Sequence, residues 1–209
     1  MARTTMSTLD AIAARRSSSQ LIGPGPNSSE LRQIIEAAAQ APDHGCCRPW
    51  SFIVIPRTSG AAFGELLATA YVRHCQATGA TVDPRRRERE RVKVFRAPVY
   101  LVAACRPRLD VPIPLDEQFA AVAAAVQNLL LAATALGFGS KWVTGAAATD
   151  PLIKRSLGLD ESDGIVGFVH LGTVPRDARQ RPRSSERRSA PVTFWKPDEA
   201  RPPESIPLP

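Results

Sequence analysis

The chain has 209 residues, is 44% hydrophobic, contains 19 prolines and carries a formal net charge of +7. That length suits one domain with a sizeable core, and the composition excludes a chain disordered throughout. The charge invites a nucleic-acid or membrane-surface reading, but it is concentrated in two runs. Residues 85–96 hold seven basic side chains against two glutamates, and 176–188 hold six arginines against two acids, which leaves the rest at −2. Only Phe95 is interleaved for base stacking, so the runs point to solvated surface or attraction of a cofactor phosphate.

Taken in chain order, 8–15 reads as a short helix with Leu9, Ile12 and Ala13 on one face. A loop over 17–26 ends in Gly23-Pro24-Gly25-Pro26. Asn27 caps a second helix, Glu30 completes a capping box, and Leu31, Ile34, Ile35 and Ala38 line its buried face until Pro42 ends it. Residues 51–55 form an apolar strand stopped by Pro56. Residues 63–76 are helical, and the charged stretch through Arg91 is an exposed helix or loop. Residues 99–104 form a second strand, too apolar for a wet face and therefore central. After the Pro-rich connector 107–114 a long helix covers 116–136, with Gly137 as its stop.

That helix is apolar nearly all round, through Phe119, Val122, Val126, Leu129 and Leu130. Gln127 and Asn128 interrupt its middle and no basic flank adjoins it, so a buried helix of a globular protein fits better than a membrane span. Part of its burial is expected from a second subunit. Residues 140–144 read as a short strand or sheet edge, Asp150-Pro151 opens a helix closing near Gly158, and 164–174 form a third clear strand. The expected division is a domain over 1–175 and an Arg/Pro-rich extension over 176–209, extended apart from an apolar knot at 192–195.

The four cysteines, Cys46, Cys47, Cys75 and Cys105, form no CxxC pair, and adjacent cysteines bridge only with strain. Neither a disulfide framework nor a zinc site is expected, which suits a reducing cytoplasm. Arg15 and Arg16 have no apolar run behind them, which argues against a secretory signal.

Three segments carry candidate chemistry. Arg15-Arg16-Ser17-Ser18-Ser19 either caps a helix dipole or offers an arginine fork to a phosphate and a hydroxyl to a ring carbonyl. The loop from Ala41 through Pro42, Asp43, His44, Gly45, Cys46, Cys47, Arg48 and Pro49 to Trp50 sits between a helix and a strand, where binding groups collect. His44 there is either structural or functional, and no partner supports thiol catalysis by Cys46 or Cys47. Gly137-Phe138-Gly139-Ser140-Lys141-Trp142-Val143-Thr144-Gly145 is not a dinucleotide fingerprint, since GxGxxG is absent. No nucleophilic triad, carboxylate dyad or metal cluster stands out, so an enzyme of this sequence would rely on a bound cofactor.

In this order the segments resemble the nitroreductase family. The matching residues are Arg15-Arg16-Ser17, Ala41-Pro42-Asp43-His44 with Pro49-Trp50 and Phe52, Gly137-Phe138-Gly139 with Trp142 and Gly145, and Ile165-Val166-Gly167-Phe168 with Leu171-Gly172. Together they span about 9–173. The resemblance implies an α+β fold with a central mixed β-sheet surrounded by helices, a long buried central helix, and an intertwined homodimer with FMN at the subunit interface. It further implies NADH or NADPH as reductant and a planar small-molecule acceptor, such as a nitroaromatic or quinone, served by ping-pong turnover. By position, Arg15, Arg16 and Ser17 would hold flavin phosphate, ribityl and ring oxygens. Gln40 and His44 would approach from the other subunit, and Trp142, Val143 and Thr144 would close over the cofactor.

Two positions depart from the family pattern. Val143 stands where arginine is common, and Gln40 where a basic residue is frequent. The first alternative to a reductase is therefore a flavoprotein of the same fold with low turnover, serving as a flavin store or specialised redox partner. The second is a basic binding protein for nucleic acid or an acidic partner.

Overall fold

The computed structural model describes residues 6–178 and 190–195. The chain divides into two units, 1–178 and 179–209. In the second, the described residues 190–195 have no regular structure, and Phe194 and Trp195 are exposed. Of the Arg/Pro-rich extension, 179–189 and 196–209 lie outside the described residues.

The first unit contains helices α1 (Thr8–Ala14), α2 (Ser28–Ala38), α3 (Gly60–Thr78), α4 (Pro84–Arg91), α5 (Leu115–Ala135) and α6 (Pro151–Ser156). Its strands are β1 (Trp50–Ile55), β2 (Val99–Cys105), β3 (Gly139–Val143) and β4 (Gly164–Gly172). Local chemistry sets several boundaries. Asn27 Oδ1 accepts the N–H groups of Ser29 and Glu30 at 2.9 and 3.0 Å, and Glu30 Oε2 accepts the Asn27 N–H at 3.0 Å, the reciprocal cap expected. Asp83 and Asp150 cap α4 and α6, each followed by proline at the first helical position. Gly79 ends α3 in the left-handed region, at φ 69°.

The strands lie in the order β1-β2-β4-β3. All three pairings are antiparallel, so the mixed sheet expected from the sequence is corrected to an antiparallel one. The reason is topological. The α3–α4 excursion returns the chain to the end of β1 that it left, pairing Ile55 with Tyr100. Strands β2 and β3, linked through α5, do run the same way, but β4 inserts between them and opposes both. Among the described residues parallel pairing is confined to one bridge, Ser17 with Ser140.

β2 shows why the sheet is covered on both sides. Tyr100, Val102 and Ala104 meet Phe63, Leu67 and Ala70 of α3 and Ile153 of α6. Leu101 and Ala103 meet Ile34 and Ala38 of α2 and Ala125, Val126 and Leu129 of α5. Alternation with a period of two thus feeds two cores from a strand that is apolar throughout. Full burial of a side chain such as Ile34 contributes about 1.5–3 kcal/mol.

α5 is long and apolar enough to cross a membrane, yet its buried residues pack on the sheet and on α2. It is not covered all round. Ala120 and Gln127 are exposed and Ala123 and Leu131 only half-buried, a stripe at helical spacing along one side. Burial on every side, as expected from composition, is therefore not achieved within one chain. Beside α5, helix α1 leaves Leu9 77% exposed.

The basic run over 85–96 is an exposed helix followed by a turn, and much of its charge is neutralised locally. Arg91 pairs with Glu65 and Glu88, Lys93 with Glu90 and Arg89 with Asp83, while Arg86 lies over the Tyr71 ring at 5.0 Å.

Candidate functional site

Arg15 follows the last residue of α1, and the extended chain beyond it reaches the outer edge of β3. Ser17 bridges to Ser140, and the Ser18 N–H donates to the Ser140 carbonyl at 3.0 Å. The first and third candidate segments are thereby joined. Arg16 Nη1 donates to the carbonyls of Ala13 and Arg15 at 2.7 and 2.8 Å, so this guanidinium also caps the C-terminus of α1. Arg15 and Arg16 bring positive charge beside the Ser17 and Ser18 hydroxyls, whereas Lys141 pairs in register with His170 and takes the opposite face of β3 from Ser140 and Trp142.

On β3 the side chains alternate. Trp142 joins the α5-side cluster, whereas Val143 packs on the opposite face against the cluster containing Phe168 and Ala147. The indole of Trp142 lies over Gly167, where a Cβ would come within 2.1 Å of Nε1. Gly167 is thus the position that makes room for Trp142. Ser140 Oγ and Trp142 Nε1 are both buried, and neither has a hydrogen-bond partner among the described residues. An unmet buried polar group costs about 1–3 kcal/mol. β3 is also an edge strand, and beyond the Ser17 bridge its outer N–H and C=O groups through Thr144 are unpaired among the described residues. This combination of cations, hydroxyls, orphaned donors and open backbone can hold a phosphate-bearing cofactor along the strand edge.

The second segment lies elsewhere. His44 to Cys46 form a single 3-10 turn after α2, with positive φ at Gly45, Cys46 and Arg48 (69°, 51° and 48°). The Asp43 carboxylate accepts the Arg48 N–H at 2.6 Å and braces the loop. His44 Nδ1 donates to Glu117 Oε2 at 2.6 Å, in the first turn of α5. Gln40 is exposed on the turn that leaves α2. Ser17, by contrast, is bridged to Ser140, just past the other end of α5. From Glu117 to Leu136 the helix rises about 28 Å. Within a single chain His44 and Ser17 are therefore tied to opposite ends of α5.

Glu117 and Gln118 are neighbours of the second segment that sequence reasoning did not single out. Glu117 reads in sequence as an ordinary first-turn acid favouring the helix dipole. Gln118 is buried; its amide accepts the Arg108 N–H at 2.8 Å and donates to the carbonyls of Arg108 and Ile113 at 3.0 and 3.1 Å, tying down the connector. Ser140, read in sequence only as the start of a short strand or sheet edge, proves to be the residue on which the first segment docks. Among the described residues no group of three His, Cys, Asp or Glu side chains is placed to hold a metal. The four thiols are free, with Cys46 exposed and the others buried. His170 lies on the α3 side of the sheet, edge-on to Tyr100 at 4.7 Å, with its Nε2 3.1 Å from the Lys93 carbonyl. Burial holds its pKa down at about 4, so it is a neutral core imidazole outside the site.

Comparison with known proteins gives the family and the fold. The model of the "Nitroreductase family" matches residues 12–173. The Escherichia coli (strain K12) protein named "Putative NAD(P)H nitroreductase YdjA" is 33% identical over 168 residues, covering 80% of this chain and 88% of its own. A nitroreductase crystal structure with bound FMN from Bacteroides fragilis superposes with a TM-score of 0.70 at 24% identity, over 91% of this chain and all of the other. A nitroreductase-like family protein from Bacillus cereus gives a TM-score of 0.67 at 23% identity, over 88% and 94% of the two chains. The fold is that of these proteins, and the chain belongs to the nitroreductase family.

Proposed function

We propose that this protein is an FMN-dependent oxidoreductase that draws on NADH or NADPH, and that two copies assemble to build its flavin sites. The observation that carries the reading is the docking of Arg15–Ser17 on the β3 edge, beside the orphaned Ser140 Oγ and Trp142 Nε1. Arg15 and Arg16 suit the flavin phosphate. Ser17 suits a ribityl or ring oxygen, and the open backbone of 142–144 suits the ring. Bound FMN would supply hydride acceptance from the nicotinamide and donation to a planar acceptor such as a nitroaromatic or quinone, in alternating order in one pocket. The chain's own part is to supply cations and donors toward the reduced ring's charge and to keep that face dry.

Two observations support a homodimer with FMN at the subunit interface. His44 is tied to Glu117 in the first turn of α5 and Ser17 to Ser140 beyond its last, ends about 28 Å apart along the helix, so a second copy is needed to bring His44 to the same cofactor. The partly uncovered Ala120–Ala123–Gln127–Leu131 stripe of α5, apolar apart from Gln127, is a seam of the kind subunits cover.

Purified protein should be yellow, or become so with added FMN. Its flavin absorption should bleach with NADH or NADPH and return with a nitroaromatic or quinone. A colourless protein that cannot be loaded with FMN would overturn the proposal. A low-turnover flavoprotein is the second reading, favoured by Val143, whose side chain packs into apolar core and adds no charge at the edge. Bound FMN that NADH and NADPH both fail to bleach at a useful rate would favour it.

A further inference from the structure

We propose that Glu117 is the positioning residue for His44. It accepts the hydrogen of Nδ1 and so leaves Nε2 as the atom that His44 offers to the flavin. This rests on the flavin reading above and adds to it a residue that neither the motifs nor the family resemblance assigned.

The pair joins two elements 73 residues apart at 2.6 Å, well within the range of a charge-assisted hydrogen bond. A carboxylate can only accept, so the contact places a proton on Nδ1 whether the ring is neutral or charged. Among the described residues Nε2 has no partner, and the His44 side chain is 65% exposed. An exposed ion pair of this kind adds little to stability, so holding the fold together is a poor account of it. Orientation is a better one, because both ends are held rigidly. On the histidine side, Asp43 braces the loop at the Arg48 N–H, and Ile113 packs against Gly45, where a Cβ would come within 3.2 Å. On the helix side, the neighbouring Gln118 fixes the connector that carries Ile113. Adjacent residues of one helical turn thus secure the histidine and the floor beneath its loop.

Two measurements test the assignment. In the apo-protein, nitrogen NMR of the imidazole should show His44 protonated at Nδ1, and Glu117→Ala should shift that proton toward Nε2 while Glu117→Gln largely keeps it. In FMN titrations Glu117→Ala should weaken binding about tenfold, the scale of coupling between contacting residues. Glu117→Gln should recover most of that loss, and in a His44→Ala background Glu117→Ala should change affinity by less than about twofold. Equal loss in both backgrounds, or an unchanged His44 spectrum in Glu117→Ala, would overturn the proposal while the flavin reading stood. Wild-type protein that takes up no FMN would overturn the flavin reading itself, and the proposal with it.

Discussion

Replacing Gly167 with alanine probes the contact on which the cofactor edge depends. The added Cβ would lie 2.1 Å from Trp142 Nε1, 2.7 Å from its Cδ1 and 2.9 Å from the Val143 carbonyl oxygen. The first two contacts belong to a side chain that can tilt, but the third belongs to the β3 backbone, so the indole and the strand edge must both move. Overpacking of this kind costs about 1–3 kcal/mol. For a protein of this size that lowers the midpoint by roughly 2–12 °C. Thermal melting followed by far-ultraviolet circular dichroism reads the loss. Tryptophan emission in a Trp50→Phe/Trp195→Phe background reads the displacement of Trp142 directly. Because the closest contacts are with the indole, Gly167→Ala/Trp142→Phe should regain more than half of the lost stability, the carbonyl contact accounting for the rest. If Gly167→Ala melts with the wild type and leaves Trp142 emission unchanged, the reasoning fails.

Other consequences follow from burial and coverage. The folded protein keeps His170 neutral down to about pH 4 because of burial, whereas the unfolded chain protonates it near 6.5. Its stabilising contribution is therefore complete above pH 6.5 and falls by about 3 kcal/mol as the pH drops to about 4; urea midpoints should decline more steeply over that window in wild type than in His170→Gln. Ile34→Ala, at a fully buried α2 position facing α5, should cost about 2–5 kcal/mol by the same measurement. Ala120→Arg, which a single chain accommodates at an exposed position, should convert a dimer to monomers by analytical ultracentrifugation and lower FMN affinity; a variant that stays dimeric and keeps its flavin would refute the assigned seam.

Much of the fold was legible locally. The Asn27–Glu30 capping box, the Asp150-Pro151 start and the central position of β2 depend on short-range hydrogen bonding and on a continuous apolar run, and each appears as expected. The sheet's directions were not legible. Nothing in the residues of β4 says that it inserts between β2 and β3, because strand order is set by how the helices between the strands pack. Within the candidate site, the motifs contained the right segments but not their partners. Ser17 meets Ser140 through backbone pairing that carries no side-chain signal, and Glu117 resembles any acid in a first helical turn.

Val143 shows the difference most clearly. In sequence it is a lost charge beside Trp142. In the structure, strand alternation sends the two side chains to opposite faces, Trp142 toward α5 and Val143 into the α3-side core. Residue order alone determined the elements, their caps and the three segments of interest, because those depend on neighbours within a few positions. Only the tertiary structure decided which segments meet. It placed Arg15–Ser17 on the β3 edge beyond the C-terminal end of α5 and tied His44 to the first turn of that helix, which is about 28 Å long between the two points.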